Sequence, residues 1–251
     1  MPSNSWQRSV LSPVVRRRKP KLPLILLALL LGIAGGTYVL IGISSKARPP
    51  LNLPRDCDIG PAELGIDVSY YQGEIVWTHV KRAGVKFAFI RAFDGTDIAD
   101  IQFYNNWYRS RRVNLPRGAY QFFRPEQSPI DQADVMIKLL RAHGAGELPP
   151  VLDVEVTGGL SPQVVAERAK IWVDRMRAEL GVEPIVYTNP GMWRLRPATE
   201  LATQPLWLAH YTTICPELAA PWKDWTYWQY TDNGYIDGIT GAVDLDLRRV
   251  R

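Results

Sequence analysis

Two carboxylates lie two residues apart in a pattern typical of a buried strand, Asp153 and Glu155 in the apolar run at 149–156. Side chains at positions i and i+2 of a strand point to the same face, so these two acids are expected side by side. Two like charges on a buried face are unfavourable unless they are solvated or used in chemistry. With one carboxyl protonated and the other ionised, the pair supplies a general acid and an electrostatic helper. This is the chemistry of glycosidic bond cleavage.

Two further acids stand near the ends of predicted strands. Asp67 closes the first strand candidate, at 64–69, and Asp244 lies in the last, at 243–246. An acid at a strand end is most often a cap or a turn residue, but several of them in one barrel favour a shared cleft. We therefore predict four catalytic carboxylates: Asp67, Asp153, Glu155 and Asp244.

Short apolar runs alternate with helical patterns from residue 64 onward, which indicates a βα architecture with a mostly parallel sheet. Strand candidates are 64–69, 86–92, 117–123, 149–156, 183–188, 205–210, 225–230 and 243–246. Ser128 and Ser161 are each followed by proline, the signature of a helix N-cap and first turn. Gly144 and Gly181 stand where those two helices are expected to end.

The last three strand candidates leave little room for helices between them. The predicted fold is therefore α/β, a single TIM-like (β/α) barrel that is incomplete in helices in its C-terminal part. It occupies residues 63–251, with a linker at 44–62 before it. Chemistry in such a barrel is expected at the C-terminal ends of the strands.

Basic residues are concentrated at the N-terminus. Residues 1–50 hold eight Lys or Arg and no acid, whereas residues 51–251 hold 22 basic and 25 acidic residues. The predicted domain is therefore mildly acidic, which argues against nucleic acid as a partner. The apolar stretch at 22–43 has 22 uncharged residues after a basic tail at 1–21, and predicts one N-terminal transmembrane helix. A cleaved signal peptide is the alternative.

The positive-inside rule places the N-terminus in the cytoplasm and the large domain on the other side of the membrane. That side of a membrane permits disulfides, and the chain has two cysteines, Cys57 and Cys215. A possible disulfide between them is one reading, and two unpaired buried thiols are the other.

An ordered series of motifs resembles the family 25 glycoside hydrolases, lysozymes that cleave peptidoglycan between N-acetylmuramic acid and N-acetylglucosamine. The motifs are GIDVS at 65–69, FAFIRA at 87–92, GAYQF at 118–122, LDVE at 152–155, VYT at 186–188, LWLAHY at 206–211, WQY at 228–230 and VD at 243–244. The resemblance covers about residues 64–247 and implies a flattened barrel.

The resemblance also implies roles for the four acids. Glu155 matches the general acid, Asp153 the neighbour that assists it, and Asp67 and Asp244 the other acids of the cleft. Two positions depart from the family's pattern, because Asp94 stands where Glu is frequent and Gln121 where His is frequent. We expect both departures to affect subsites and not activity.

Aromatic residues in or beside the strand ends are predicted to stack on sugar faces. They are Tyr120, Tyr187, Trp207, Tyr211 and Trp228. Gln229 is predicted to hydrogen-bond an acetamido group, whereas Trp77 and Trp172 lie on helix stripes and are assigned to the core. The three histidines show no metal-ligand spacing and no phosphate loop is present, so we expect no metal and no cofactor.

These observations predict an N-acetylmuramidase acting in cell-wall remodelling or catabolism, on the outer or periplasmic side of the bacterial cytoplasmic (inner) membrane. Its expected partners are peptidoglycan glycan strands and, through residues 22–43, the lipid bilayer; no obligate protein partner is inferred. Two alternatives stay open: a non-catalytic, membrane-tethered peptidoglycan-binding module, and a chitinase-like hydrolase on the same scaffold. Retaining, substrate-assisted and inverting routes are likewise all compatible with the sequence.

Overall fold

A computed structural model describes residues 54, 57–194, 198–218 and 220–250 of the chain. The predicted basic tail (1–21) and membrane segment (22–43) lie outside these residues, as does most of the predicted linker (44–62). Within the described ranges, no helix has the length and apolar character needed to cross a bilayer.

The described part of the chain contains one sheet of nine strands. They are β1 Ala62–Val68, β2 Phe87–Asp94, β3 Ile98–Ala99, β4 Arg117–Phe122, β5 Val151–Asp153, β6 Ile185–Thr188, β7 Leu206–Ala209, β8 Tyr227–Gly234 and β9 Val243–Arg249. Because β1 pairs with both β2 and β9, eight strands close into a barrel, and β3 only extends β2 as a short hairpin. The predicted TIM-like barrel is thus confirmed.

The direction of the last strand differs from the others. Strands β1, β2 and β4 to β8 run parallel to one another, whereas β9 is antiparallel to both β8 and β1. Only about eight residues join β8 to β9, too few for the crossover that a parallel strand requires. As a result, the beginning of β9 lies at the same end of the barrel as the C-terminal ends of the parallel strands.

Four α-helices precede β6 in the described ranges: α1 Trp77–Arg82, α2 Phe103–Arg112, α3 Pro129–His143 and α4 Pro162–Leu180. The caps predicted from the sequence are present at the two longer helices. Ser128 accepts a hydrogen bond of 3.2 Å from the amide of Asp131 in α3, and Ser161 caps α4 in the same way. After β6 the described chain forms only short 3-10 helices, at Pro190–Trp193 and Thr199–Leu201, so helices are indeed scarce in the C-terminal part.

Alternating side chains of the strands divide the core into two layers. On β2, Phe87 and Phe89 point into the barrel, where Phe89 stacks on Trp207 with ring centroids 4.4 Å apart. Ala88 and Ile90 point outward and pack under the helices. Because side chains fill the interior, a ligand cannot pass through the barrel and can bind only at one of its ends.

Cys57 and Cys215 form a disulfide, one of the two possibilities that the sequence left open. Cys57 precedes β1, and Cys215 lies in the segment between β7 and β8. The bond therefore ties the chain entering the barrel to a connection near its C-terminal third.

Candidate active site

A cavity of about 390 Å³ opens at the C-terminal ends of the parallel strands. All four predicted catalytic acids and five of the six predicted sugar-binding residues line it: Asp67, Asp153, Glu155, Asp244, Tyr120, Tyr187, Trp207, Tyr211 and Gln229. The antiparallel direction of β9 explains how Asp244, near the start of its strand, reaches residues that end theirs. These nine residues, predicted from separate strands, therefore lie together at the C-terminal end of the barrel.

Asp153 and Glu155 reach the cavity from one extended segment. Strand β5 ends at Asp153 and is shorter than the predicted 149–156, but the backbone remains bonded beyond it, because the Val154 amide donates to the Tyr187 carbonyl at 2.9 Å. The two acids consequently point the same way, as the spacing predicted. Asp153 is 5% exposed, whereas Glu155 is exposed to the open cleft.

The two carboxyl groups of this pair both line the cavity, and each affects the pKa of the other. Burial raises the pKa of Asp153 well above its ordinary value, and the charge of Glu155 raises it further. Burial also raises the pKa of Glu155, but the hydrogen bond from Asp153 lowers it. Because Asp153 is the more deeply buried of the two, burial favours its protonated form more strongly than that of Glu155.

Asp67 and Asp244 occupy the opposite wall of the cavity. They are paired residues in the antiparallel register of β1 and β9. Burial raises the pKa of Asp67 well above its ordinary value, with a further rise caused by the charge of Asp244. Partial burial, followed by the charge of Asp232, raises the pKa of Asp244 to about 6. The cleft therefore retains protons at a pH where isolated carboxyls have lost them.

Gln229 is the centre of a polar network at the bottom of the cavity. Its Nε2 donates to Asp67 Oδ2 at 2.7 Å, and its Oε1 accepts from the hydroxyls of Tyr187 at 2.8 Å and Tyr211 at 2.9 Å. Gln229 is 3% exposed. Gln229 therefore also orients Asp67, a role that the sequence did not indicate.

Trp228 does not line the cavity, and its prediction as a sugar-binding ring is corrected. Its side chain is fully buried on the outer side of β8, against Trp225 and Tyr230, and its indole N–H donates to the His210 carbonyl at 2.8 Å. The physical reason is strand alternation, since adjacent residues of a strand face opposite sides and Gln229 faces the cleft. Trp228 is a core residue.

Two arginines line the cavity without having been predicted there. Arg91 forms an ion pair of 3.0 Å with Asp100, and its guanidinium lies over the rings of Tyr70 and Tyr71, the latter largely exposed. Arg124 makes two hydrogen bonds, of 2.6 and 2.7 Å, to Asp94. Both arginines offer donors to the hydroxyl and carbonyl oxygens of a sugar chain. The FAFIRA motif contained Arg91, but nothing in it marked the side chain as facing the cleft.

The two departures from the family's pattern occupy different environments. Asp94 lines the cavity and its charge contributes to the raised pKa of Asp153. Gln121 lies behind the cavity and is fully buried, where it donates to the Gly95 carbonyl and accepts from the Trp172 indole, both at 2.9 Å. Asp94 therefore belongs to the cleft, whereas Gln121 joins a strand to a helix.

A further acid, Asp246, was missed by the sequence analysis. It follows Asp244 at the same i, i+2 spacing that drew attention to Asp153 and Glu155, so the signal was present. Asp246 is fully buried and accepts a hydrogen bond of 2.9 Å from the Trp207 indole.

The described residues contain no group of three or more His, Cys, Asp or Glu arranged to hold a metal ion. What the cavity does contain is a pair of neighbouring acids with raised pKa values, a second group of acids opposite it, and tyrosine and amide groups between them. Such an arrangement supplies a proton to a leaving oxygen and negative charge to an adjacent cationic carbon. It is a site for acid-assisted cleavage of a glycosidic bond.

Comparisons with known proteins agree with this chemistry. Residues 66–239 match the model of the glycosyl hydrolases family 25. Lysozyme M1 of Streptomyces globisporus is 33% identical over 225 residues, covering 81% of this chain and 75% of that protein. The N,O-diacetylmuramidase of a Chalaropsis species is 32% identical over 204 residues, covering 72% of this chain and 95% of that protein.

The fold is also shared with a solved structure, the bacterial lysozyme of Streptomyces coelicolor. The two superimpose with a TM-score of 0.68 at 31% identity, over 75% of this chain and 92% of that one. The family model alone spans more than half of the chain, from the start of the barrel to beyond β8. The chain therefore belongs to glycosyl hydrolase family 25 and is a glycoside hydrolase.

Proposed function

We propose that the protein is an N-acetylmuramidase, which hydrolyses the β-1,4 bond between N-acetylmuramic acid and N-acetylglucosamine in peptidoglycan. The observation that carries this proposal is the pair of Asp153 and Glu155, which line the cavity together at the strand ends. The names of the related lysozyme and diacetylmuramidase support the same substrate class.

In this proposal Glu155 is the general acid. It is exposed to the cleft and accepts the proton that Asp153 holds, so the proton passes from Asp153 to Glu155 and on to the leaving glycosidic oxygen. The C1–O bond breaks at the same time, and Asp153 is left ionised beside the developing positive charge. The ionised Asp153 then stabilises that charge electrostatically.

The cationic carbon is attacked either by the 2-acetamido oxygen of the substrate or by water. In the first route Asp153 stabilises the cyclic intermediate, and water later opens it after giving a proton to Glu155. In the second route water attacks directly and gives its proton to an ionised carboxylate of the cleft. The anomeric configuration of the first-formed product distinguishes the two routes, since the first retains it and the second inverts it.

Tyr120, Tyr187, Trp207 and Tyr211 are proposed to contact the sugar, with Gln229 and Asp67 bonding its polar groups. Among these, Tyr211 is the most accessible, at 52% exposed, while the other three aromatic residues are at most 9% exposed. Stacking on sugar faces is therefore assigned chiefly to Tyr211, and hydrogen bonding to the buried residues.

We also propose that residues 22–43 anchor the protein in the bacterial cytoplasmic membrane, with the barrel on the outer or periplasmic side. The uncharged run of 22 residues and the basic residues before it support this topology. Alkaline carbonate extraction of membranes from expressing cells tests it. Release of the full-length chain into the soluble fraction would reject the anchor without affecting the proposed chemistry.

The test of the chemistry is release of reducing ends from purified peptidoglycan by the detergent-solubilised full-length chain, with mass analysis of the products. We expect fragments ending in reducing N-acetylmuramic acid, and a loss of about 100-fold or more in Glu155→Gln. Glu167→Gln is the matched control, because it makes the same change at an exposed position of α4 outside the cavity.

Two other outcomes would replace the proposal. Retained binding of peptidoglycan without release of reducing ends would identify a binding module. Cleavage of chitin oligomers in preference to peptidoglycan would identify a chitinase-like hydrolase on the same scaffold.

A further inference from the structure

Asp246 is a buried acid that the proposed reaction does not use. It lies on β9 in the barrel wall with its side chain fully buried. Its Oδ1 accepts a hydrogen bond from the Trp207 indole, but its Oδ2 is buried and has no N–H donor or hydroxyl partner among the described residues. A fully ionised carboxylate with one neutral donor is unfavourable at such a position.

The group that faces Asp246 is another acid. Asp246 pairs with Gly65 in the antiparallel register of β9 and β1, two residues before Asp67, so the two acid side chains lie on the same face of neighbouring strands and their charges interact. No arginine or lysine of the described ranges forms an ion pair with either of the two. Two contacting carboxylates without a cation between them are stable only when they hold one proton in common.

The remaining polar neighbours cannot replace that proton. From β8, Gln229 donates to Asp67 Oδ2, Tyr227 near Asp246 carries a hydroxyl whose pKa is raised by burial, and Tyr230 lies with Trp228 on the outer side of the strand. From β9, Asp244 adds a further negative charge near both acids. None of these neighbours supplies a positive charge, and the charge of Asp244 makes the doubly ionised pair still less favourable.

We propose that Asp246 is a positioning residue for Asp67: the two acids share one proton, and this hydrogen bond fixes the orientation and the charge of Asp67 in the cleft. The inference rests on the proposed function in one respect, since Asp67 is taken to act on the substrate. Gln229 donates to Oδ2 of the Asp67 carboxyl, and Asp246 lies beside the same carboxyl on the neighbouring strand. Together the two acids carry one negative charge and not two.

This arrangement has a consequence at alkaline pH. Loss of the shared proton leaves two carboxylates in contact, and their repulsion turns Asp67 away from its position. Activity therefore falls as the pair is deprotonated. Burial raises the pKa of both acids well above the ordinary value, which moves this loss to a higher pH than for an isolated aspartate.

Asp246→Asn tests the proposal, because the amide keeps an acceptor for the Trp207 indole and gives Asp67 a permanent N–H donor. We expect kcat/KM at mildly acidic pH to stay within about 3-fold of wild type, and its alkaline limb to move up by about one pH unit or more. Asp246→Leu, which removes the donor, is expected to lose about 10-fold or more at every pH while remaining folded by circular dichroism. An Asp246→Asn profile that superimposes on the wild-type profile would overturn the proposal.

A second readout does not depend on hydrolysis. Infrared difference spectra at neutral pH are expected to show the carbonyl band of a protonated carboxyl that is missing in Asp246→Asn. Asp153→Asn is the control, because it removes a carboxyl elsewhere in the cavity and leaves Asp67 and Asp246 in place, so the band that Asp246→Asn loses is expected to persist. If the wild type does not hydrolyse peptidoglycan but the band behaves as described, the proposed function fails and the acid pair stands. Identical bands in wild type and Asp246→Asn would reject the pair.

Discussion

The side-chain amide of Gln229 donates a hydrogen bond of 2.7 Å to Asp67, although 162 residues separate the two in the chain. The hydrogen bonds of the Gln229 amide fix the positions of its oxygen and its nitrogen. Its oxygen already accepts from the hydroxyls of Tyr187 and Tyr211, so its nitrogen must face the acid. Gln229 on β8 thereby orients Asp67 on β1, so the geometry of the site depends on the closure of the barrel.

Replacing Gln229 by Glu is expected to lower kcat by about 100-fold, since it removes one preorganised donor and places an acceptor against Asp67. The change keeps the shape of the side chain, so the loss reflects charge and hydrogen bonding. Steady-state hydrolysis of purified peptidoglycan measures it. The expected thermal midpoint is lower as well, because the introduced carboxylate is buried beside other acids.

The control for this prediction is Gln163→Glu, the same change at an exposed position of α4. It is expected to leave kcat unchanged. Equal kcat values for the wild type and the Gln229→Glu variant would mean that the orientation of Asp67 does not contribute to the reaction.

Trp228→Phe separates a core residue from a cleft residue. The substitution removes the indole N–H that donates to the His210 carbonyl and leaves a small void, so it is expected to cost about 1–3 kcal/mol of unfolding free energy. KM and kcat of the folded variant are expected to stay within about 2-fold of wild type. Urea unfolding and steady-state kinetics on the same preparation check both values. A raised KM with unchanged stability would return Trp228 to the sugar-binding groove.

The features that sequence predicted well are those set by neighbouring residues. Ser128 and Ser161 were predicted as helix caps because the capping bond joins residues only three apart, and the structure contains both bonds. Asp153 and Glu155 were predicted on one face because strand geometry relates positions i and i+2. In each case the determining interaction lies within one turn or one strand.

The features that it missed depend on pairing between distant strands. Whether Asp246 contacts Asp67 is decided by the antiparallel register of β9 against β1, which no local pattern records. The error at Trp228 is different, since strand alternation already excludes placing both Trp228 and Gln229 in one cleft. That error was avoidable from the sequence, whereas the acid pair was not.

The disulfide between Cys57 and Cys215 is expected to stabilise the barrel mainly by restricting the unfolded chain. The loop it closes spans 158 residues, for which chain entropy gives about 5 kcal/mol as an upper value. The double variant Cys57→Ser/Cys215→Ser is therefore expected to unfold at a lower urea concentration than the oxidised wild type. The chain has only these two cysteines, so a reductant is expected to lower the urea midpoint of the wild type and to leave that of the double variant unchanged. Coincident transitions for the oxidised wild type and the double variant would show that the bond contributes nothing.

The stability of the barrel is expected to depend on pH through Asp153. Burial, and then the charge of Glu155, raises the pKa of this acid in the folded state above its value in the unfolded chain. Between those two pKa values the folded state binds more protons than the unfolded state, so the free energy of unfolding falls as the pH rises. The contribution of the protonated group is complete below about pH 4 and is lost as the pH passes the folded pKa.

Asp153→Asn removes this titration while keeping the size of the side chain. We expect the variant to gain stability relative to wild type as the pH rises, by about 1.4 kcal/mol for each unit by which folding raises the pKa, and the difference to close toward about pH 4. Urea unfolding at several pH values measures the difference, with Asp97→Asn as a control at an exposed position. A difference between Asp153→Asn and wild type that is the same at every pH would show that Asp153 is ionised in the folded protein, and that it holds no proton to pass to Glu155.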